Sequence, residues 1–190
     1  ALAIMRHFPV KALTALYFPN DDARWINAPE DEGKTVVGFC DALNMLRDIK
    51  TEAEKHGSIC APAKEGTFSI GSMSLTFYLP DIELRTRQNA VFDELYAGAM
   101  PPHDMLYAAS KDRNCSSIMM RVEYAGRSIL LTGDSYGAYW ENNGMPHCDI
   151  LKVPHHGDGK SMTEKLISSL SPGYAVISCQ NDTSPKKDRP

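Results

Sequence analysis

Two stretches of sequence decide the fold: Ile129-Leu-Leu-Thr-Gly-Asp134 and Asp149-Ile-Leu-Lys-Val-Pro-His155-His156-Gly157. In each, a short apolar run typical of a buried strand ends at turn-forming residues, and side chains able to bind a metal follow at once. Carboxylate oxygens and neutral imidazole nitrogens are ligands for zinc, manganese and iron, and Gly133 and Gly157 let the backbone turn closely around an ion. The two stretches therefore predict strands that present metal-binding side chains from adjacent loops.

Each motif also has a purely structural explanation when it stands alone. An aspartate after a strand, such as Asp134 before Ser135, is commonly a turn residue or a helix N-cap. His155 and His156 are also compatible with a hydrogen-bonded loop pair, and Asn114 is a common type of turn residue. The occurrence of both motifs in this order, each at a strand end, favours a shared site.

The segments around these motifs predict a layered α/β sheet. Two apolar runs flank Tyr124-Ala-Gly-Arg127, which is typical of a hairpin closed by a glycine-containing turn. Farther on, a helical segment at residues 162–170 separates two more apolar runs, and the order strand, helix, strand favours an α/β layer. The four runs cover residues 116–123, 128–132, 150–153 and 175–178.

The beginning of the chain predicts a helix end, a strand and then a loop. Residues 1–16 indicate the end of a helix followed by a strand, because Pro9 interrupts any helix that starts at the first residue. Residues 20–34 are polar and rich in turn-forming types, and we expect Trp25 and Ile26 to anchor this loop.

The next segments predict one long helix, short strands and an irregular region. Apolar residues recur at spacings of three and four over residues 36–56, which predicts an amphipathic helix with Gly57 as its C-cap. In the last of the strands, strict alternation of apolar and polar residues predicts one buried face. Residues 81–112 show no sustained period, so we expect a long loop or insertion with one short helix. The predicted strands cover residues 58–61, 66–71 and 73–79.

Composition excludes several classes of protein. The chain has 190 residues, of which 43% are hydrophobic and 23% charged, enough for a globular core and unlike a disordered tail or a fibre. A formal net charge of −4 gives no overall positive field, so contact with nucleic acid would need a local patch. No uninterrupted apolar run of about 18 residues predicts a membrane span, and we expect a soluble domain.

Cysteine usage favours a reducing compartment without identifying it. The five cysteines are an odd number at irregular spacing, and none forms a C-x-x-C pair. Such cysteines are typical of unpaired thiols or of small apolar residues in a core.

The linked motifs carry a resemblance to a known family. The run from Asn114-Cys-Ser-Ser117 to Asp134, followed by Asp149 to Gly157, closely resembles the metallo-β-lactamase superfamily. Within it, the pattern is similar to the branch typified by the hydrolase domain of the competence protein ComEC: N-x-x-S, then L-L-T-G-D, then D-i-L-K-v-p-H-H-G, then a helix and a strand ending in I-S. The resemblance is strong over residues 114–178 and weak upstream, at Phe8-Pro-Val-Lys11 and residues 71–80.

The resemblance implies a fold and a set of site residues. It implies a four-layer αββα sandwich with a metal site, usually dinuclear, at one edge of the two sheets. Asp134 takes the position of the family's aspartate that bridges two ions, and one histidine of H-H-G is a ligand, for which we favour His156. His155 is then expected to contact the substrate or support a ligand, and Asn114 to be a weak ligand or to orient the substrate through its amide.

The resemblance also implies cofactors. Two divalent ions are expected in the intact parent protein, with zinc favoured and manganese or iron as alternatives. Such a pair of ions lowers the pKa of a bridging water toward neutrality and holds a phosphate or acyl oxygen against it.

One part of the family pattern is absent from this sequence. The motif T-H-x-H-x-D-H should precede the opening residues, and His7 has neither its spacing nor its neighbours. At the other end, Pro190 stops where the family continues with another helix and strand. We therefore expect residues 1–190 to form a single partial domain, truncated at both ends, that is inactive or weakly active as this piece.

The function implied for the intact parent is metal-dependent hydrolysis of phosphodiesters, including DNA. No membrane contact is visible in this sequence, although a membrane region fused to the parent would indicate DNA uptake. Two alternatives stay open: a non-catalytic binding or scaffolding domain of the same fold, and a hydrolase of another ester or a thioester. Asp134 and the His-His-Gly motif argue against the scaffold, because packing requires neither.

Overall fold

The computed structural model describes residues 2–30 and 32–179 and divides them into two compact units. The first unit contains the described residues up to Ala63 together with Asp81–Arg113. The second contains Lys64–Pro80 and the described residues from Asn114 onward. Helices and a multistranded sheet are both present, which confirms the α/β class. The single domain over residues 1–190 and the four-layer sandwich stay predictions.

The first unit is mostly helical and contains one small sheet. Its two strands pair in parallel, with Ala12 opposite Ile59. The predicted order of a helix end followed by a strand is confirmed at the start of the chain, and so is the long amphipathic helix. The elements are α1 (Leu2–His7), β1 (Ala12–Ala15), α2 (Lys34–Lys55), β2 (Ile59–Pro62), α3 (Ile82–Tyr96) and α4 (His103–Lys111).

The loop before α2 is held by a buried amide. The Asn44 side chain accepts a hydrogen bond from the Ile26 N–H at 2.9 Å and donates one to the Ile26 carbonyl at 2.8 Å. Ile26 is buried as expected, whereas Trp25 remains 53% exposed beneath the Arg47 guanidinium. Anchoring therefore depends on Ile26 and on a polar residue of α2, because a buried amide must find partners.

The prediction of a long loop with one short helix over residues 81–112 is wrong, because this segment forms both α3 and α4. The polar Gln88 lies within the buried stripe of α3, where its amide donates to the Asp112 carbonyl at 3.1 Å. That polar residue conceals the helical period in the sequence. Asp81 caps α3 by accepting hydrogen bonds from two backbone N–H groups, and Pro102 is the N-cap of α4. The buried positions of α3 are Leu84, Gln88, Val91, Leu95 and Tyr96.

The second unit is built on one six-stranded sheet. The order is β3-β4-β5-β6-β7-β8, antiparallel from β3 to β6 and parallel from β6 to β8. The predicted hairpin is confirmed, and Ala125 and Gly126 form its two-residue turn with φ angles of 50° and 75°. The elements are β3 (Gly66–Ile70), β4 (Met73–Tyr78), β5 (Met119–Tyr124), β6 (Arg127–Leu131), β7 (Ile150–Lys152), α5 (Glu164–Leu170) and β8 (Tyr174–Val176).

The predicted burial of one face of β4 is wrong. Met73 is 39% exposed, and the other residues of the strand are all half-buried. The neighbouring edge strand β3 is exposed along its whole length, so it shields neither face of β4 completely.

One apolar cluster holds the second unit together and places the motif loops. Strands β6 and β7 pair in parallel, with Leu130 opposite Leu151, and both side chains are buried. Because the carboxyl ends of parallel strands meet at the same edge of a sheet, the two motif loops are neighbours. The cluster contains Met119, Leu130, Trp140, Met145, Cys148, Leu151, Leu166 and Leu170. No helix within the described ranges combines the length and hydropathy that a membrane crossing requires.

Candidate metal centre

A tight turn after β6 positions Asp134. Thr132 is fully buried, and its hydroxyl donates to the Lys152 carbonyl at 2.7 Å, which ties the end of β6 to β7. Gly133 has a φ of 59°, and a Cβ added there would lie 2.8 Å from Cβ of Ser117. The turn therefore requires glycine both for its left-handed backbone and for the close approach of Ser117.

Ser117 connects the N-x-x-S motif to Asp134. Its hydroxyl accepts a hydrogen bond from the Asp134 N–H at 3.2 Å and donates one to the Asn114 carbonyl at 2.9 Å. The Ser117 N–H donates to the same carbonyl at 3.2 Å. Asn114 therefore acts in this turn through its backbone, and the catalytic role of its side-chain amide stays a prediction. By sequence, Ser117 is, like Asn114, a common type of turn residue, and its place in N-x-x-S was the signal for its contact with the Asp134 turn.

The two histidines of the second motif lie on an unusual stretch of backbone. His155 and His156 have φ angles of 45° and 56°, in the left-handed region that residues other than glycine rarely adopt. Each such residue costs about 1 kcal/mol. Strained backbone of this kind is concentrated at functional sites in proteins. The His155 N–H donates to the Gly133 carbonyl at 3.3 Å, so the strained loop is held against the turn that carries Asp134.

The imidazole of His156 faces the carboxylate of Asp134. Its Nε2 lies 3.6 Å from Oδ2 of Asp134, and its Nδ1 lies 2.6 Å from the carbonyl oxygen of Ser178. Because a carbonyl oxygen only accepts hydrogen bonds, Nδ1 carries a proton, and in the neutral ring Nε2 presents its lone pair toward Asp134. This is the arrangement in which a metal-binding histidine is oriented by a backbone carbonyl.

His155 has a different environment from His156. Its ring packs edge-on against Tyr136, with ring centroids 4.9 Å apart. Its Nδ1 is buried and has no hydrogen-bond partner within residues 2–30 and 32–179. Buried polar nitrogens usually have a partner, so the partner of this atom lies outside the described residues.

Lys152 is a further charged group at this site, for which the sequence predicted no role. Its Nζ donates to the Gly133 carbonyl at 2.9 Å and lies 3.7 Å from Oδ1 of Asp134. The position inside the motif D-I-L-K-V-P-H-H-G was the available signal, but a lysine at the end of a strand is usually a solvated residue.

Asp134 and His156 supply only part of the ligands that one divalent ion needs. Two ligands about 2.1 Å from a tetrahedral zinc ion lie about 3.4 Å apart, close to the 3.6 Å between Asp134 Oδ2 and His156 Nε2. Both side chains are accessible, with exposures of 39% and 53%. The described residues contain no group of three or more histidine, cysteine, aspartate or glutamate side chains that could hold a metal. Asp134 and His156 can therefore supply two ligands of a site that needs others to bind tightly.

Asp149, the only carboxylate of the second motif, has a structural role. It accepts hydrogen bonds from the backbone N–H and the hydroxyl of Ser128 and forms an ion pair with Arg127 at 3.1 Å. These bonds, that from the Ser128 N–H first, hold the pKa of Asp149 below its usual value. Asp149 therefore fixes the register at the start of β7.

Comparison with known proteins gives partial matches. No protein-family model matches the chain. ComE operon protein 3 of Bacillus subtilis (strain 168) is 40% identical over 70 residues, which are 35% of this chain and 9% of that protein. Recombination protein 2 of Haemophilus influenzae is 30% identical over 86 residues, which are 44% of this chain and 10% of that protein. The chain thus spans about a tenth of the length of either relative.

Proposed function

We propose that the intact protein is a metal-dependent hydrolase of phosphodiesters, with nucleic acid as its substrate class. The observation that carries the proposal is the convergence of Asp134 and His156, which follow two neighbouring parallel strands and bring a carboxylate oxygen and an imidazole nitrogen within 3.6 Å. We favour zinc as the ion. Manganese and iron are alternatives, because mixed oxygen and nitrogen ligands suit all three metals.

Each site residue has a role in this proposal. Asp134 and His156 hold a divalent ion, whose chemistry is to lower the pKa of water and to polarise a phosphoryl oxygen. His155, next to His156 in the same loop, contacts the substrate. Asn114 orients the substrate through its side-chain amide. Ser117 and Gly133 keep the Asp134 turn in place, so the carboxylate needs little reorganisation to bind the ion.

The fold we propose is the four-layer αββα sandwich of the metallo-β-lactamase type. Its support is the order of elements in the second unit, where β5 and β6 precede the L-T-G-D turn and where β7, H-H-G, α5 and β8 follow. The resemblance in sequence covers the same segment.

The biological setting we propose is DNA uptake in competence. Its support is the similarity to proteins named ComE operon protein 3 and Recombination protein 2, whose names refer to the ComE operon and to recombination. Both names are compatible with a nucleic acid as the partner of this chain.

A second candidate function is a binding domain without catalysis. It is favoured by the absence, from the described residues, of any group of three metal-ligand side chains. Such a domain would bind nucleic acid through the same fold without hydrolysing it.

The test compares metal content and phosphodiesterase activity of the full-length protein with those of two alanine variants. Asp134→Ala removes an anionic ligand, so bound zinc and turnover should both fall, turnover by about 10²-fold or more. Asp22→Ala, at an exposed loop position, is the matched control and should leave both unchanged. Full activity of Asp134→Ala would refute the catalytic proposal, and DNA binding without hydrolysis in the wild type would favour the binding domain.

A further inference from the structure

A groove with a volume of about 360 Å³ lies between α3 and α4 in the first unit. The Gln88 side chain, near the start of α3, donates to the Asp112 carbonyl just beyond the end of α4. Because a short connection over residues 97–102 joins the two helices, they run antiparallel and form the two walls of the groove. Most of the lining is apolar, and it contains Leu84, Ala90 and Val91 of α3 and Met105, Ala108 and Ala109 of α4.

Two opposite charges line the same end of this groove. Arg87 lies on the α3 wall next to Gln88, and Asp112 follows the α4 wall. Within residues 2–30 and 32–179, neither the Arg87 guanidinium nor the Asp112 carboxylate has a hydrogen bond or an ion pair. Arg87 is exposed and Asp112 is half-buried. The chain therefore presents one cation and one anion at the same level of the groove, on opposite walls.

We propose that this groove is a dimer interface, in which α3 and α4 of two copies of the chain pack as an antiparallel four-helix bundle. A two-fold axis along the groove places α3 of each copy over α4 of the other. Arg87 of each copy then faces Asp112 of the other, and the apolar walls cover one another. The interface uses residues outside the segments that resemble the hydrolase family, and the inference does not depend on the proposed function.

A second copy is the occupant that the charges of the groove favour. Opposite charges on opposite walls at one level are what this symmetry requires, because each charge meets its counterpart twice. Charges of the same sign on the two walls would repel a second copy. Met105 is 40% exposed and Ala108 is also exposed, so a single copy leaves apolar surface of the groove in contact with water. Burial of that surface drives association, and the two ion pairs set its register.

The experiment measures the mass of the full chain by sedimentation equilibrium over a range of protein concentrations. The wild type should rise from the 21.0 kDa monomer mass toward twice that value as its concentration increases. Arg87→Asp and Asp112→Arg each place like charges opposite one another at both ion pairs. Each variant alone should therefore raise the dissociation constant of the dimer about tenfold or more.

An equimolar mixture of the two variants tests the geometry itself. One copy of each forms a heterodimer with one native ion pair and one pair of reversed sign, so the mixture should associate within about threefold of the wild type. A role of either residue within its own chain would not be restored by mixing. Asp41→Arg is the matched control, because it reverses an exposed charge of α2 that does not line the groove, and it should leave association unchanged.

The possible outcomes support or overturn the inference. Weak association of each variant alone, restored in the mixture, supports it. A wild type that stays monomeric overturns it, and this is also the result expected if the groove binds a small apolar ligand or a helix of another protein. Association that neither reversal weakens, or that mixing does not restore, overturns it as well. If Asp112→Arg does not fold, Asp112→Lys makes the same reversal with the same expected results.

Discussion

Replacement of Gly133 by alanine tests how tightly the turn before Asp134 is built. The residue has a φ of 59°, and an alanine in this left-handed conformation costs about 1 kcal/mol relative to glycine. The new Cβ would also lie 2.8 Å from Cβ and 3.0 Å from Oγ of Ser117. Relief of such overpacking typically costs about 1–3 kcal/mol, so the expected loss in the free energy of unfolding is about 2–4 kcal/mol.

Gly126→Ala is the matched control, because it measures the free-energy cost of placing alanine in a left-handed backbone conformation. Gly126 has a φ of 75°, and an added Cβ there meets no described atom within 4 Å. This variant should therefore lose only about 1 kcal/mol. The difference between the two variants measures the contact with Ser117.

Urea unfolding gives both values when it is followed by the fluorescence of Trp140 in a Trp25→Phe background. Trp140 is 1% exposed within the core of the second unit, so its signal reports the unit that contains both glycines. Trp25 is replaced because it lies in the first unit, and two compact units need not unfold together. A Gly133→Ala variant no less stable than Gly126→Ala would show that Ser117 leaves room for a Cβ at position 133.

Three further predictions concern side chains of the linked motifs. His156→Ala should reduce the zinc content of the full-length protein, whereas His155→Ala should leave it near normal and lower turnover about 10²- to 10³-fold, as measured by atomic emission and a phosphodiesterase assay. Loss of zinc in His155→Ala alone would mean that the two imidazoles are assigned the wrong way round. Ser117→Ala removes the hydroxyl bonded to the Asp134 N–H and should lower the free energy of unfolding by about 1 kcal/mol in urea, and no loss would contradict the role of Ser117. Asp149 has a depressed pKa in the folded chain, so its stabilising effect is complete above its unfolded pKa and is lost as the pH falls below about 4. Asp149→Asn should therefore reduce the fall in the free energy of unfolding at acidic pH, as measured by urea unfolding at several pH values. An unchanged fall would contradict this stabilising role of Asp149.

The elements that sequence predicted well are those in which local pattern and tertiary packing agree. The hairpin around Ala125-Gly126 has two apolar flanks and a two-residue turn, and α2 has an apolar stripe followed by Gly57. In the second unit, short apolar runs predicted β6 and β7, although β6 buries only alternate residues and leaves Ile129 and Leu131 exposed. The proximity of Asp134 and His156 follows from that pairing.

The elements that sequence missed depend on contacts between distant residues. Gln88 lies on the buried side of α3 because the Asp112 carbonyl, 24 positions away, satisfies its amide. Lys152 reaches Asp134 only because β6 and β7 are parallel and in register. The left-handed backbone of His155 and His156 has no signature in the residue types, since glycine is the residue that normally marks such a conformation.

Binding of one divalent ion by both Asp134 and His156 can be followed directly by ¹⁵N NMR of the histidine rings during a zinc titration of the full chain. Such binding predicts that the His156 Nε2 signal shifts on zinc addition, while Nδ1 stays protonated through its bond to the Ser178 carbonyl. It also predicts that Asp134→Ala greatly reduces this response and that His147→Ala, at an exposed position, preserves it. A His156 signal that does not respond to zinc, or that responds equally in Asp134→Ala, would contradict binding of one ion by both residues.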